Sequence, residues 1–141
     1  MGDNKKVESS KNSLGYNVKK QRPVNLDLTT IKFPAAAKAS ILHRVSGVAM
    51  IFAIGILLWT LSLSLSSAEG FSEVKALIDG LFFKFIIFGI IAAISYHLLA
   101  GIRHLLMDVG YFEEKTSGNA SANFIMAIWI IFIAVVGVWL W

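Results

Sequence analysis

The sequence predicts an all-α membrane protein with three transmembrane helices. Of its 141 residues, 56% are hydrophobic, and a mean hydropathy of +0.68 is too high for a soluble domain of this length. Three apolar runs are each long enough to cross the hydrocarbon core of a lipid bilayer; they comprise residues 45–65, 81–107 and 122–141. The sequence contains no cysteine, which excludes disulfides and thiolate metal sites within it.

Two regions of different composition divide the chain. Residues 1–25 are polar and show no hydrophobic periodicity, so we expect a polar N-terminal arm. Residues 26–141 are expected to form the membrane domain. Pro34 suits the first position of a helix, and no helix breaker separates residues 35–44 from the first span.

The distribution of charge predicts how the chain crosses the membrane. Nine of the 13 Lys and Arg residues precede the first span, whereas the loop 66–80 carries only Lys75 against three acidic residues. The positive-inside rule therefore predicts a cytoplasmic N-terminus and, after three crossings, a periplasmic C-terminus. Asp3 and Glu8 lie ahead of a late apolar run, which is unlike a secretory or organelle-targeting sequence, and a bacterial cytoplasmic membrane is expected.

The net charge of +4 comes largely from the region before the first span. A membrane surface or an acidic partner accounts for such a charge. The sequence shows no nucleic-acid-binding fold and no aromatic residues interleaved with the basic ones, so no nucleic-acid partner is expected.

Ionisable residues within the second span are the strongest functional signal, because such groups are costly inside a bilayer. The segment HLLAGIRHLLMD (97–108) places His97, Gly101 and His104 in one narrow stripe of a helix, and the same row continues backwards to Ala93. A bulky flat group fits such a trough, and a neutral imidazole is a common ligand of haem iron. Small residues also suit close helix packing with a hydrogen-bonded histidine, so both interpretations stay open here.

A second polar cluster lies where the first span begins, in the segment SILHRVSG (40–47). If the first two spans are antiparallel neighbours, this segment and the end of the second span lie at the same height. The cationic group expected there needs an anion or a polar ligand; it consists of His43, Arg44, Arg103 and His104. Ser40 lies one turn before Arg44 on the same helix face. The alternative is that Ser40 bonds its own helix backbone and Arg44 extends to the interface.

These segments, with RPVNLDL (22–28), resemble the cytochrome b subunit of succinate dehydrogenase, respiratory complex II, of the bacterial four-subunit type. The resemblance extends over about residues 19–114. It implies a helical bundle shared with a second small three-helix anchor subunit. It also implies that both anchors carry an iron-sulfur subunit and a flavoprotein subunit that oxidises succinate, so that this chain has no succinate-oxidising site itself.

The resemblance also implies roles for individual residues. His97 corresponds to an axial ligand of haem b, with the second ligand supplied by the partner anchor. Ser40 and Arg44 correspond to part of the ubiquinone site, where a hydroxyl and a guanidinium would stabilise charge on the quinone oxygens. The residues expected around the haem propionates are His43, Arg44, Arg103 and His104.

The sequence also bears on three other functions. A haem-free, quinone-reactive anchor of the fumarate reductase type shares the same architecture. A transporter or channel subunit would need polar groups along the whole crossing, whereas the outer halves of the three spans are mainly apolar and carry one charged residue, Lys84. A self-contained di-haem cytochrome needs four axial ligands, and the sequence has three histidines.

Overall fold

The computed structural model describes residues 31–141, so the predicted N-terminal arm of residues 1–25 lies outside the described residues. The described part contains four α-helices: α1 (Ala35–Ser66), α2 (Ala68–Asp79), α3 (Leu81–Asp108) and α4 (Lys115–Leu140). The three long helices α1, α3 and α4 are each long and apolar enough to cross a membrane. The predicted all-α class with three membrane spans is therefore confirmed.

Helix α1 begins well before the apolar run that predicted it. Pro34 is the N-cap rather than the first helical residue, and its carbonyl accepts hydrogen bonds from the backbone N–H groups of Ala37 and Lys38. From there α1 continues for 32 residues without a break. The segment 40–47 is therefore helical throughout, and its side chains have fixed positions relative to the first span.

Helix α2 lies in the segment that the sequence analysis treated as a loop. Ser67 caps it by accepting a hydrogen bond from the Gly70 backbone N–H at 2.9 Å. Gly70 and Val74 are buried, and a Cβ atom at Gly70 would overlap the Leu63 carbonyl of α1. Hydrogen bonds from its own backbone N–H and from the Ser67 hydroxyl hold the pKa of Glu69 below its usual value. Helix α2 is thus a short amphipathic helix packed on α1.

Small residues form the contacts between the spanning helices. Ala39 and Ala100 are each 1% exposed and Ala122 is 2% exposed, which allows the backbones to approach closely, as is typical of membrane helices. Large apolar side chains instead lie mostly on the outside, and Val138, for example, is 85% exposed. The outer surface is therefore suited to lipid or to other membrane subunits.

Hydrogen bonds from aromatic side chains join α3 to both of its neighbouring spans. The buried Tyr96 hydroxyl donates to the Ala39 carbonyl of α1 at 2.9 Å. The Trp129 indole N–H of α4 donates to the Ala92 carbonyl of α3 at 3.0 Å. Together they fix α3 against both other spans, and Tyr96 directly precedes the candidate ligand His97.

Candidate functional site

Three histidines meet where α1 and α3 pack together, and we call this group the histidine cluster. The rings of His43 and His97 are stacked, with centroids 4.0 Å apart and planes inclined by 18°. The rings of His43 and His104 are 5.0 Å apart and inclined by 53°. Helices α1 and α3 thus bring His43 and His104 together, as the antiparallel arrangement predicted.

The hydrogen bonds of His97 determine which of its ring nitrogens carries the proton. Its Nδ1 lies 3.1 Å from the His43 carbonyl oxygen and 3.1 Å from the Ser46 Oγ. A carbonyl oxygen only accepts, so Nδ1 must donate and therefore carries the proton of the neutral ring. The other ring nitrogen, Nε2, then has a free lone pair, which is the state required of a metal ligand.

The Nε2 atom of His43 is buried and has no hydrogen-bond partner among the described residues. A Cβ atom at Gly101 would lie 3.5 Å from it. An unpartnered buried nitrogen is costly, and this one lies beside the rings of His97 and His104. The histidine cluster is therefore suited to a ligand that supplies a hydrogen-bond partner for this nitrogen.

A cavity of about 420 Å³ opens beside the histidine cluster; its lining consists of the three histidines, Gly101 and three apolar side chains. It includes Leu98, Ile102 and Leu105, which are 49–67% exposed. The cavity thus opens on an apolar surface of the chain. A bulky ligand bound there would also contact whatever covers that surface.

The predicted trough does not continue past His97 to Ala93. Ala93 lines a separate cavity of about 190 Å³ together with Ser46 and Trp129. The contact between Ser46 and His97 brings α1 against α3 at this height. Ala93 therefore lies beside a second cavity, separate from the one that His97, Gly101 and His104 line.

Arg103 is not placed as the sequence analysis predicted. It is 3% exposed, and its guanidinium donates to the Ser121 Oγ and to the Gly118 carbonyl, both at 2.9 Å. Its neighbour His104 faces α1, and consecutive residues of a helix point in directions about 100° apart. Arg103 therefore binds α4, and this corrects the expectation that it joins His43 and His104.

Ser40 and Arg44 lie one turn apart on α1, as predicted. The Arg44 Nε donates to the Ser40 carbonyl at 3.4 Å, and the Arg44 side chain is exposed. The Ser40 Oγ has no hydrogen bond to any described residue, whereas Ser46 and Ser95 bond carbonyls of their own helices. Among the described residues, no group therefore occupies the Ser40 hydroxyl, which lies one turn from the Arg44 cation.

Ser46 and Gly47 also belong to the site, and the sequence analysis assigned them no role in it. A Cβ atom at Gly47 would lie 3.1 Å from the Cε1 of His97, which is tighter than an ordinary contact. Both residues stand in the segment 40–47, just after His43. That position was the available signal, but only the structure shows that they face His97.

Comparison with known proteins assigns the family. Residues 18–138 match the family described as succinate dehydrogenase/fumarate reductase transmembrane subunit. The chain belongs to this family. The resemblance seen in the sequence is confirmed, and the chain is a membrane anchor of the succinate dehydrogenase type, part of an enzyme complex.

The chain is also similar to proteins described as cytochrome b subunits of succinate dehydrogenase. The chain is 38% identical over 122 residues to the succinate dehydrogenase cytochrome b556 subunit of Coxiella burnetii, covering 86% of this chain and 98% of that protein. It is 32% identical to the b556 subunit of Paracoccus denitrificans, covering 75% and 82%. It is 36% identical to the cytochrome b560 subunit of Reclinomonas americana, covering 70% and 72%.

Proposed function

We propose that this chain binds haem b through His97 and forms part of the quinone-reduction site of a succinate:quinone oxidoreductase. The observation that carries the haem assignment is the hydrogen bond from His97 Nδ1 to the His43 carbonyl at 3.1 Å. Histidines that ligate metals usually donate their other N–H to a carbonyl or carboxylate. That the relatives are named cytochrome b556 subunits supports the same assignment.

The residues of the histidine cluster fit a haem. His97 offers a free Nε2, and the cavity beside it is apolar except for the three imidazoles. When bound, haem b supplies a centre for reversible one-electron transfer. We assign the second axial ligand to a second three-helix anchor, because the cavity opens on the surface of this chain.

His43 and His104 are proposed to bind the haem propionates. The buried Nε2 of His43 has no hydrogen-bond partner among the described residues, and a propionate would accept a hydrogen bond from it when this nitrogen carries the proton. The Arg44 side chain is exposed and bonds a carbonyl of its own helix α1, and we propose that its charge also reaches these carboxylates. We do not extend this proposal to Arg103, because α4 holds its guanidinium.

Ser40 and Arg44 are proposed to bind the quinone. A quinone carbonyl needs a hydrogen-bond donor, and positive charge stabilises the oxygen as it gains electrons. The Ser40 hydroxyl supplies a donor and the Arg44 guanidinium supplies both donors and charge. Ser40 is half-buried and Arg44 is exposed near the start of α1, where a quinone at the membrane interface would meet both.

The expected partners follow from this placement. We propose that an iron-sulfur subunit and a flavoprotein subunit bind at the cytoplasmic end of the bundle, where α1 begins. A second three-helix anchor covers the exposed apolar surface beside the histidine cluster. The chain then lies in a bacterial cytoplasmic membrane, with its N-terminus in the cytoplasm because the basic residues concentrate there.

A haem-free anchor of the fumarate reductase type is the second candidate. It leaves the His97 Nε2 and the buried His43 Nε2 without a ligand, so the donor set favours haem. The absorption spectrum of the purified complex separates the two candidates. A reduced-minus-oxidised spectrum of low-spin b-type haem supports the proposal, and a complex with full quinone reductase activity but no haem contradicts it.

Two assays on the same preparations test the quinone site. Ser40→Ala and Arg44→Leu are expected to slow quinone reduction while leaving succinate oxidation by a soluble artificial acceptor intact. The loss of one donor to a developing oxyanion costs about 3 kcal/mol, or roughly a hundredfold in rate. Arg44→Leu has the larger effect because it also removes charge. Ser62→Ala, near the other end of α1, is the matched control and changes neither activity.

Equal loss of both activities would indicate failed assembly of the complex. Unchanged quinone reduction in both Ser40→Ala and Arg44→Leu would place the quinone elsewhere. The second result removes these two residues from the proposed site, whereas the first shows that the complex needs them to assemble.

A further inference from the structure

The hydroxyl oxygen of Ser46 lies 3.1 Å from the Nδ1 of His97. We propose that Ser46 is a positioning residue for the haem ligand. Together with the His43 carbonyl, it fixes the orientation of the His97 ring and keeps the proton on Nδ1. This inference rests on the proposed role of His97 as an axial ligand.

The hydrogen bonds around Ser46 define its role. Ser46 is 7% exposed, and its Oγ lies 2.8 Å from the His43 carbonyl, to which it donates its one proton. The lone pairs of the same Oγ remain to accept, and His97 Nδ1 lies 3.1 Å away. The Nδ1–H of His97 is therefore shared between two oxygens of α1.

The two acceptors beside Nδ1 determine which nitrogen of the His97 ring is free to bind iron. A neutral imidazole with its proton on Nε2 cannot ligate iron through that nitrogen. Acceptors that face Nδ1 favour the tautomer whose Nε2 is free, and they oppose rotation of the ring about its bond to Cβ. An acceptor at Nδ1–H also makes Nε2 a stronger electron donor to a metal.

Gly47 supplies the space that this arrangement needs. A side chain at that position would press on the Cε1 of His97 at 3.1 Å. Within about one turn, α1 thus supplies two acceptors, the His43 carbonyl and the Ser46 hydroxyl, and Gly47 leaves room for the His97 ring. The orientation of the ligand on α3 is set by α1.

A series of substitutions at Ser46 in the intact, membrane-extracted complex tests the inference. The variants are Ser46→Thr, which keeps a hydroxyl, Ser46→Cys, whose thiol is a weak acceptor, and Ser46→Ala, which has none. The matched control is Ser95→Ala, because the Ser95 hydroxyl bonds only carbonyls of its own helix α3. The measured quantities are the haem midpoint potential and the rate at which haem is lost to excess apomyoglobin.

Ser46→Ala is expected to retain low-spin haem but to lose it about tenfold faster, which is the usual scale for a lost partner of a metal ligand. Because the Nε2 of His97 then donates less electron density to iron, the preference for ferric over ferrous haem falls about tenfold. For one electron this raises the midpoint potential by about 59 mV. Ser46→Cys shifts the potential in the same direction by less, and Ser46→Thr and Ser95→Ala match the unaltered complex.

The series separates failure of this inference from failure of the proposed function. If Ser46→Ala and Ser46→Cys behave like Ser95→Ala, or if Ser46→Thr shifts the potential as far as Ser46→Ala, the hydroxyl does not position the ligand. Should His97→Ala in the same assays leave the spectrum and the potential unchanged, His97 is not the ligand and the proposed function fails first. If Ser46→Ala does not assemble, the comparison of Ser46→Cys with Ser46→Thr decides the question.

Discussion

Substitution of Gly47 by alanine tests the contact between α1 and the proposed haem ligand. The added Cβ would lie 3.1 Å from the Cε1 of His97, whereas ordinary contacts of this kind begin at 3.4 Å. The ring must therefore move by about 0.3 Å or more. That movement takes the two hydrogen bonds of Nδ1, both 3.1 Å long, beyond the usual range of about 2.7–3.2 Å.

The magnitude follows from these two hydrogen bonds. Each contributes about 1 kcal/mol, so weakening both costs about 2 kcal/mol in the stability of the bound haem. This corresponds to about a thirtyfold change in the partition of haem between the complex and a competing acceptor. Alanine is also a better helix former than glycine by about 1 kcal/mol, and a control must remove that contribution.

Gly55→Ala is that control. Gly55 lies on the same helix, and an added Cβ there would meet no atom of the described chain within 4 Å. The assay is the rate of haem transfer from the purified complex to excess apomyoglobin, followed by absorption. We expect Gly47→Ala to lose haem about thirtyfold faster than Gly55→Ala. Equal rates in the two variants would refute the argument that Gly47 makes room for the ligand.

Two further predictions concern the surroundings of the site. Ser121→Ala removes one acceptor from the buried Arg103 guanidinium, and a lost hydrogen bond to a charged group costs about 2 kcal/mol. We therefore expect a lower thermal midpoint of the complex. Ser117→Ala is the control and leaves the midpoint unchanged, because the exposed Ser117 hydroxyl bonds the Glu114 carbonyl. Gly101→Ala is expected to keep its haem because its Cβ would make an ordinary 3.5 Å contact with His43, whereas Gly101→Leu fills the cavity and lowers the haem content. A thermal midpoint unchanged in Ser121→Ala, or full haem content in Gly101→Leu, would contradict the respective prediction.

The spanning helices could be predicted from the sequence because their signal is the length of an apolar run. Helix α2 could not, because Glu69, Glu73, Lys75 and Asp79 give its segment the composition of a surface loop. Its buried face consists of Gly70 and Val74, too small a set to show a period. Only packing on α1 reveals it as a helix.

In the candidate site, too, some contacts could be predicted from the sequence and others could not. The pairing of His43 with His104 followed from two antiparallel helices at one height. The direction of Arg103 did not, since a guanidinium can reach either neighbouring helix and the partners on α4, Gly118 and Ser121, carry no charge. The role of Ser46 was hidden because a helical serine usually bonds its own backbone, and Ser46 does so while also contacting His97.

The spectrum and midpoint potential of the His97→Ala complex test the central claim most directly. His104→Ala is the matched control, because it removes an imidazole from the same cluster that is not assigned as a ligand. The ring of His43 is stacked 4.0 Å from that of His97 and lies close enough to bind the haem iron once His97 is removed. The double variant of His43→Leu and His97→Ala removes both rings. We predict that His97→Ala loses the native low-spin spectrum or shifts its potential, that the double variant loses the haem, and that His104→Ala retains low-spin haem. An unchanged reduced-minus-oxidised spectrum and an unchanged potential in His97→Ala would contradict the account.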